Sequence, residues 1–358
     1  MSGGNREIDL VDEWDQLSTA VGARFTDGAV YGAAVAERRS VATVLVPSRE
    51  RGELRAIAAL STRRVGPVSV ARLAGHGLGQ GGDAVTADAS AARGLADRLA
   101  ERRLILHLDQ MATDSDLLHA LRDHPQWRVH TRVTSDIPML TLRPGWTARD
   151  VRSGRTLSQL RSVRTKYAAA GDEVRFELLQ TTADLDRRWD DMRRVASKRA
   201  ESRPEWDQWL EGERGTLVRA VLDGEARAGR MRVLGMTAGG QWIGHDIAVK
   251  CGTTWARYLT HFDPDHARVQ PGHQLMVWII DHHDELGVDR IHHGRGVTPV
   301  KKAWSDEDLL DAVDVWAVPT SIPAAGSVLA VITGITIARV RTITALKRVA
   351  RRLLRRNR

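Results

Sequence analysis

The chain is short of sulfur, of phenol and phenyl rings, and of long apolar runs. Its 358 residues include a single cysteine, Cys251. A lone cysteine excludes an intramolecular disulfide and argues against a cysteine-based zinc site. No His-Glu-x-x-His pair is present, and adjacent histidines cannot chelate from one helix or strand face, so no metal is expected. The opening residues MSGGNREIDL lack the apolar core of a secretory signal, and a reducing cytoplasm is the expected setting. The uncharged stretch from Val315 to Ala338 is interrupted by Pro319, Pro323, Gly326 and Gly334, which a spanning helix would not want. Three tyrosines and three phenylalanines stand against eleven tryptophans, eight of them between Trp189 and Trp316. Core packing accounts for most of these. Trp206 and Trp209, in a polar connection, are also of a type that stacks on a sugar or base.

The body of the chain also lacks net charge. The formal +8 is a property of the C-terminus: nine basic residues and no acid lie between Val315 and Arg358, and the other 44 basic residues face 45 acids. A balanced body argues against a nucleic-acid-binding face. In the tail, Ile332, Ile335, Val340, Ile343, Leu346, Val349 and Leu353 follow one helical stripe with Arg and Lys on its flanks. That pattern predicts an amphipathic helix over 328–358 lying on an anionic membrane surface. A partner-docking helix or a disordered basic tail has the same composition.

What is present is α/β material for about two domains. Residues 8–21 have helical spacing, 41–46, 54–60 and 65–73 read as strands, and Gly75 to Asp83 is a glycine-rich loop without a phosphate-loop lysine. A helix over 91–102, a strand over 104–108, a helix over 114–123 and strand material over 127–142 complete a first unit, 1–150. A basic helix spans 156–170; its Arg161, Arg164 and Lys166 suit either a solvated face or a contact to phosphate. A strand at 174–179 and a helix at 183–200 follow. Strands are then expected at 217–222, 226–234, 242–249 and 254–262, with Asp223-Gly224 as a hairpin turn. A Pro/Gly loop, a helix over 274–286 stopped by Gly287, a strand at 288–291, a short basic helix and a strand over 310–318 close a second unit, 151–319. The tail is 320–358.

The order helix, helix, four antiparallel strands, loop, helix, strand is that of the GNAT acyltransferase fold. From about Thr156 to Trp304 the chain resembles the acetyltransferase domain of the cellulose-biosynthesis CelD-type proteins. The resemblance rests on the basic helix with Gly171, on Asp223-Gly224, on Phe262-Asp263-Pro264, on Pro271-Gly272, and on Gly294-Arg295-Gly296 with Lys301 and Trp304. More loosely, the first half resembles a degenerate GNAT-like domain, in the tandem arrangement that Fem-type peptidyltransferases share. His292, Val297 and Val300 stand where such proteins commonly have Asp, Asp and Tyr.

The resemblance implies tandem GNAT-like domains and acetyl-CoA or another acyl-CoA as donor. Its pyrophosphate would lie on the segment Arg268, Gln270, Gly272, His273 and Gln274, with Lys301 nearby. The loop amides and the helix dipole favour an anion there. An amine or hydroxyl of a cell-envelope, polysaccharide or lipid-linked acceptor would attack the thioester, helped by a base. Eight of thirteen histidines lie between His245 and His293. Candidates are His261 with Asp263, two residues apart on one strand face, His245 with Asp246, and His292. Aminoacyl transfer from charged tRNA and an inactive membrane-associated scaffold are the alternatives.

Overall fold

A computed structural model describes residues 3–38, 43–65, 68–75, 82–202, 209–294, 296–306 and 310–322. The expected amphipathic tail lies outside these residues. Among the described residues no helix is long and apolar enough to cross a membrane.

The first half contains α1 (Gly3–Ala20), α2 (Ala29–Arg38), β1 (Thr43–Glu50), β2 (Glu53–Val65), β3 (Val68–Leu73), β4 (Val85–Thr86), α3 (Ala89–Glu101), β5 (Ile105–Ala112), α4 (Asp116–Asp123), β6 (Trp127–Ile137) and β7 (Met139–Thr141). Then come α5 (Ala148–Val151), α6 (Gly154–Ala169), β8 (Val174–Leu179), α7 (Thr182–Ser202), α8 (Gly212–Arg227), β9 (Met231–Ala238), β10 (Gln241–Cys251) and β11 (Thr254–Phe262). The last are α9 (Pro271–Asp281), α10 (His283–Leu286), β12 (Arg290–His292), α11 (Pro299–Ala303) and β13 (Leu310–Pro319). Local chemistry sets several boundaries. Asp88 and Ser115 cap α3 and α4 by accepting the Ala91 and Leu118 amides. Gly287, at φ +60°, supplies the left-handed residue that ends α10.

The expected four-strand run needs a correction. Residues 217–222 are helix, not strand, and Asp223-Gly224 lies inside α8 rather than in a hairpin. Gly224 is there because α8 crosses α2: a Cβ on it would come within 2.5 Å of Val30 Cγ1. The four antiparallel neighbours are β8, β9, β10 and β11.

Two mixed sheets carry the fold, ordered β1-β2-β3-β5-β13-β6, with β4 on β2, and β7-β12-β11-β10-β9-β8. They do not follow a linear cut at 150 and 319. Strand β13, from the end of the expected second unit, lies between β5 and β6 of the first sheet, antiparallel to both. Strand β7, from the first half, pairs with β12 at the edge of the second sheet. Each half thus supplies a strand to the other. One apolar cluster also crosses between them, with Phe25, Tyr31 and Val35 against Leu217, Val221, Val249 and Tyr258. Arg230 adds a polar clamp, bonding Asp15 of α1 at 2.9 Å and Glu225 of α8 at 2.7 Å.

Candidate active site

The site begins where two parallel strands part. β11 pairs with β12 only from Thr254 to Ala256, against Arg290 to His292, and then continues to Phe262 without that neighbour. On its other side the register to β10 skips Tyr258: Leu259 faces Ile247 and Arg257 faces Ala248. This bulge breaks the alternation read from the sequence. Arg257 stays on the face of α9, whereas Tyr258 and Leu259 both join the cluster under α7 and α8.

Beyond Phe262 the chain is set up for an anion. Asp263 caps a 3-10 turn over Pro264–Val269 by accepting the Asp265 amide at 3.1 Å. Gln270 takes a left-handed conformation, φ 55°, and Pro271 opens α9. Proline brings no amide hydrogen, so the first free donor of the helix is the Gly272 N–H. A Cβ on Gly272 would meet only Val300 Cγ1, at 3.9 Å. Arg268 and Gln270 are exposed beside it, while Gln274 is buried and donates from Nε2 to Leu160 O at 3.0 Å. The expected cofactor residues of the loop therefore converge on one helix end. Lys301 lies on α11, and it adds its charge to the burial that lowers the pKa of His292 and His293.

Two buried hydrogen-bond chains flank the parting strands. On the α7 face, Trp242 Nε1 donates to His245 Nδ1 at 3.3 Å, and His245 Nε2 lies 3.0 Å from His261 Nδ1. Burial holds His245 well below the ordinary imidazole range, and burial with Arg199 nearby brings His261 down to about 4. Both rings are neutral at pH 7. Indole can only donate, so His245 carries its hydrogen on Nε2 and gives it to His261 Nδ1, and His261 keeps its own on Nε2.

On the α9 face, Asp246 is fully buried and accepts from Arg257 Nε at 2.7 Å, Thr260 Oγ1 at 2.6 Å and Trp255 Nε1 at 3.1 Å. Arg257 Nη1 donates to His293 Nδ1 at 2.9 Å, and His293 Nε2 donates to Trp304 O at 2.6 Å. Trp304 Nε1 then reaches His273 Nδ1 at 2.9 Å. The chain ends in the first turn of α9, where it fixes the His273 ring.

Both expected carboxylates have other partners in the fold. Asp246 is engaged by three donors within the sheet. Asp263 is not a partner of His261: it is buried, bonds Lys198 Nζ at 2.9 Å and caps the turn. Arg257, His293, Trp242 and Arg152 are site residues that spacing alone did not single out. A charged residue at an inward strand position, as at Arg257, was the available signal. Trp206 lies outside the described residues, and Trp209 is covered by the Arg214 guanidinium, 4.8 Å from its ring centre. Cys251 is buried, which pushes its thiol up to about 12 and leaves it no nucleophile at neutral pH.

His292 points the other way, into a cleft of about 370 Å³ between the two halves. Its Nδ1 accepts the Gly294 amide at 3.1 Å, and burial with the Arg24 charge lowers its pKa to about 3. Across the cleft stand Arg24, Asp27 and Asp83. Burial raises the Asp83 carboxyl from 3.8 to about 7, against the pull of Arg24. The folded chain therefore holds a proton that the unfolded chain releases near pH 4, and stability falls as pH rises from about 4 to 7. Asp83→Asn is expected to match the parent near pH 4 and to exceed its stability at pH 8 by roughly 2–4 kcal/mol. Urea unfolding at the two pH values checks this; parallel pH curves would refute it.

Residues 154–302 match a family model described as an acetyltransferase (GNAT) domain. No curated protein matches the chain. FemX superposes with a TM-score of 0.60 at 8% identity, over 86% of this chain and 96% of its own. The C-terminal domain (DUF2156) of a putative lysylphosphatidylglycerol synthetase from Agrobacterium fabrum gives 0.54 at 13%, over 89% and 94%. At such identities these likenesses concern the fold alone. The two-sheet α/β architecture is shared with FemX, and residues 154–302, its second half, match the acetyltransferase (GNAT) domain model.

Proposed function

We propose that the chain transfers an acyl group from acyl-CoA to an amine or hydroxyl of a cell-envelope, polysaccharide or lipid-linked acceptor, in the manner of CelD-type acetyltransferases. One observation carries this reading: β11 parts from β12, and beyond the end of β11 the chain presents the free amide of Gly272 and the α9 dipole. The pyrophosphate sits on that first turn, with Gln270, His273 and Arg268 around it. The acyl arm runs back along β11 towards the bulge at Tyr258. Positioning, and hydrogen bonds to the developing oxyanion, supply most of the rate gain. His261, neutral and with its hydrogen on Nε2, serves as a hydrogen-bond donor, its ring held by the His245 Nε2–H. His292 faces the cleft by which an acceptor reaches the strands. The apolar stripe over 328–358, with its flanking Arg and Lys, holds the protein at an anionic membrane surface.

Isothermal calorimetry with acetyl-CoA tests the donor. Micromolar binding is expected, and no heat up to about millimolar ligand would sink the proposal. The balanced body charge disfavours tRNA as the donor.

A further inference from the structure

Helix α6 carries Arg155, Arg161, Arg164 and Lys166 and no acid. On α7 and α8 the arginines are mostly spent on carboxylates: Arg187, Arg188, Arg193 and Arg219 each have one. Among the described residues Arg161 and Arg164 meet none. Both border a groove of about 390 Å³ between α5, α6 and α9, a size that suits a small ligand. Leu157, Leu160 and Val277 give it an apolar wall, and Arg149 adds a third guanidinium. Its one acid, Asp281, is engaged by the Ala148 amide at 2.8 Å. The groove reaches Gln274, in the first turn of α9, so it starts beside the anion seat. Near His273 of that same turn stands Arg152, with a buried Nε that has no partner and its guanidinium 5.6 Å from the Trp304 ring centre.

We propose that the α5–α6–α9 groove receives the 3′-phosphorylated adenosine end of the acyl-CoA, with Arg161 and Arg164 on the 3′-phosphate. The inference rests on the acyl-CoA reading above and assigns the half of the donor that the α9 turn does not hold. A phosphomonoester is a dianion at neutral pH, which two unpaired guanidinium groups match by charge-assisted hydrogen bonds. Adenine is a flat, weakly polar ring, which the Leu157, Leu160 and Val277 wall covers.

Calorimetry on the full chain with CoA and with 3′-dephospho-CoA tests this. The parent should bind CoA roughly tenfold tighter than the dephospho form. R161E/R164E should bind the two alike, and R161Q/R164Q serves the same comparison should the charge reversal impair folding. A parent without the preference, or variants that keep it, would overturn the assignment. Failure of the parent to bind either compound would overturn the acyl-CoA reading itself, and this inference with it. If the variants lose binding to phosphatidylglycerol vesicles but keep the CoA preference, the groove belongs to a lipid headgroup and the proposal is wrong.

Discussion

Gly272→Trp is expected to abolish acetyl-CoA binding while leaving the melting temperature within about 3 °C of the parent. The separation of the two effects comes from local geometry. Gly272 is not in the left-handed region, so a side chain brings no backbone strain. The nearest atom to its Cβ is 3.9 Å away, which is ordinary contact. In a helix, replacing glycine is mildly favourable. What the indole does fill is the space over the first-turn amide, where the pyrophosphate has to approach. Calorimetry reads the affinity and differential scanning the fold. An unchanged affinity would remove the anion seat from this helix end.

Asp246→Ala should be the most damaging single substitution in the domain, at about 3–5 kcal/mol. It strands the Arg257 guanidinium, 6% exposed, in the sheet interior without its anion. It also releases Thr260 and Trp255, which both donate to Asp246. The double change Asp246→Ala with Arg257→Met removes the stranded charge and should recover most of the loss, since buried ion pairs are often close to neutral against an apolar replacement. Urea denaturation of parent, single and double variants measures the cycle. A single variant within about 1 kcal/mol of the parent would show that the network is solvated rather than buried.

The sequence carried more of the fold than of the site. Helix stops such as Gly287, and strands such as 174–179 and 254–262, were legible because periodicity and turn residues are local. Helix α8 was not. Its Leu217 to Leu222 run suits a buried strand as well as a helix, and Gly224 looks like a turn residue until α2 is seen to press against it. The His261 and Asp263 pairing failed because β11 ends at Phe262: Asp263 caps the turn beyond it, and its carboxylate goes to Lys198 instead. The contacts of His245 with His261 and of Arg257 with His293 join residues far apart in sequence, and no spacing rule reports such pairs. The exchange of β7 and β13 is the extreme case: the sequence shows that strands exist there but not which sheet takes them.

That exchange has a consequence for biogenesis. Ala112 of β5 waits for Ala312 of β13, 200 positions later, before the first sheet has the strand that joins β5 to β6. A ribosome moving along this message releases all of the first half with β5 and β6 unjoined. Until residue 319 emerges, the buried strand β5 keeps one edge open to solvent or to a chaperone. The protein should therefore fold after synthesis rather than during it, slowly and as one unit. Nascent chains stalled shortly before β13 should be protease-sensitive throughout the first half.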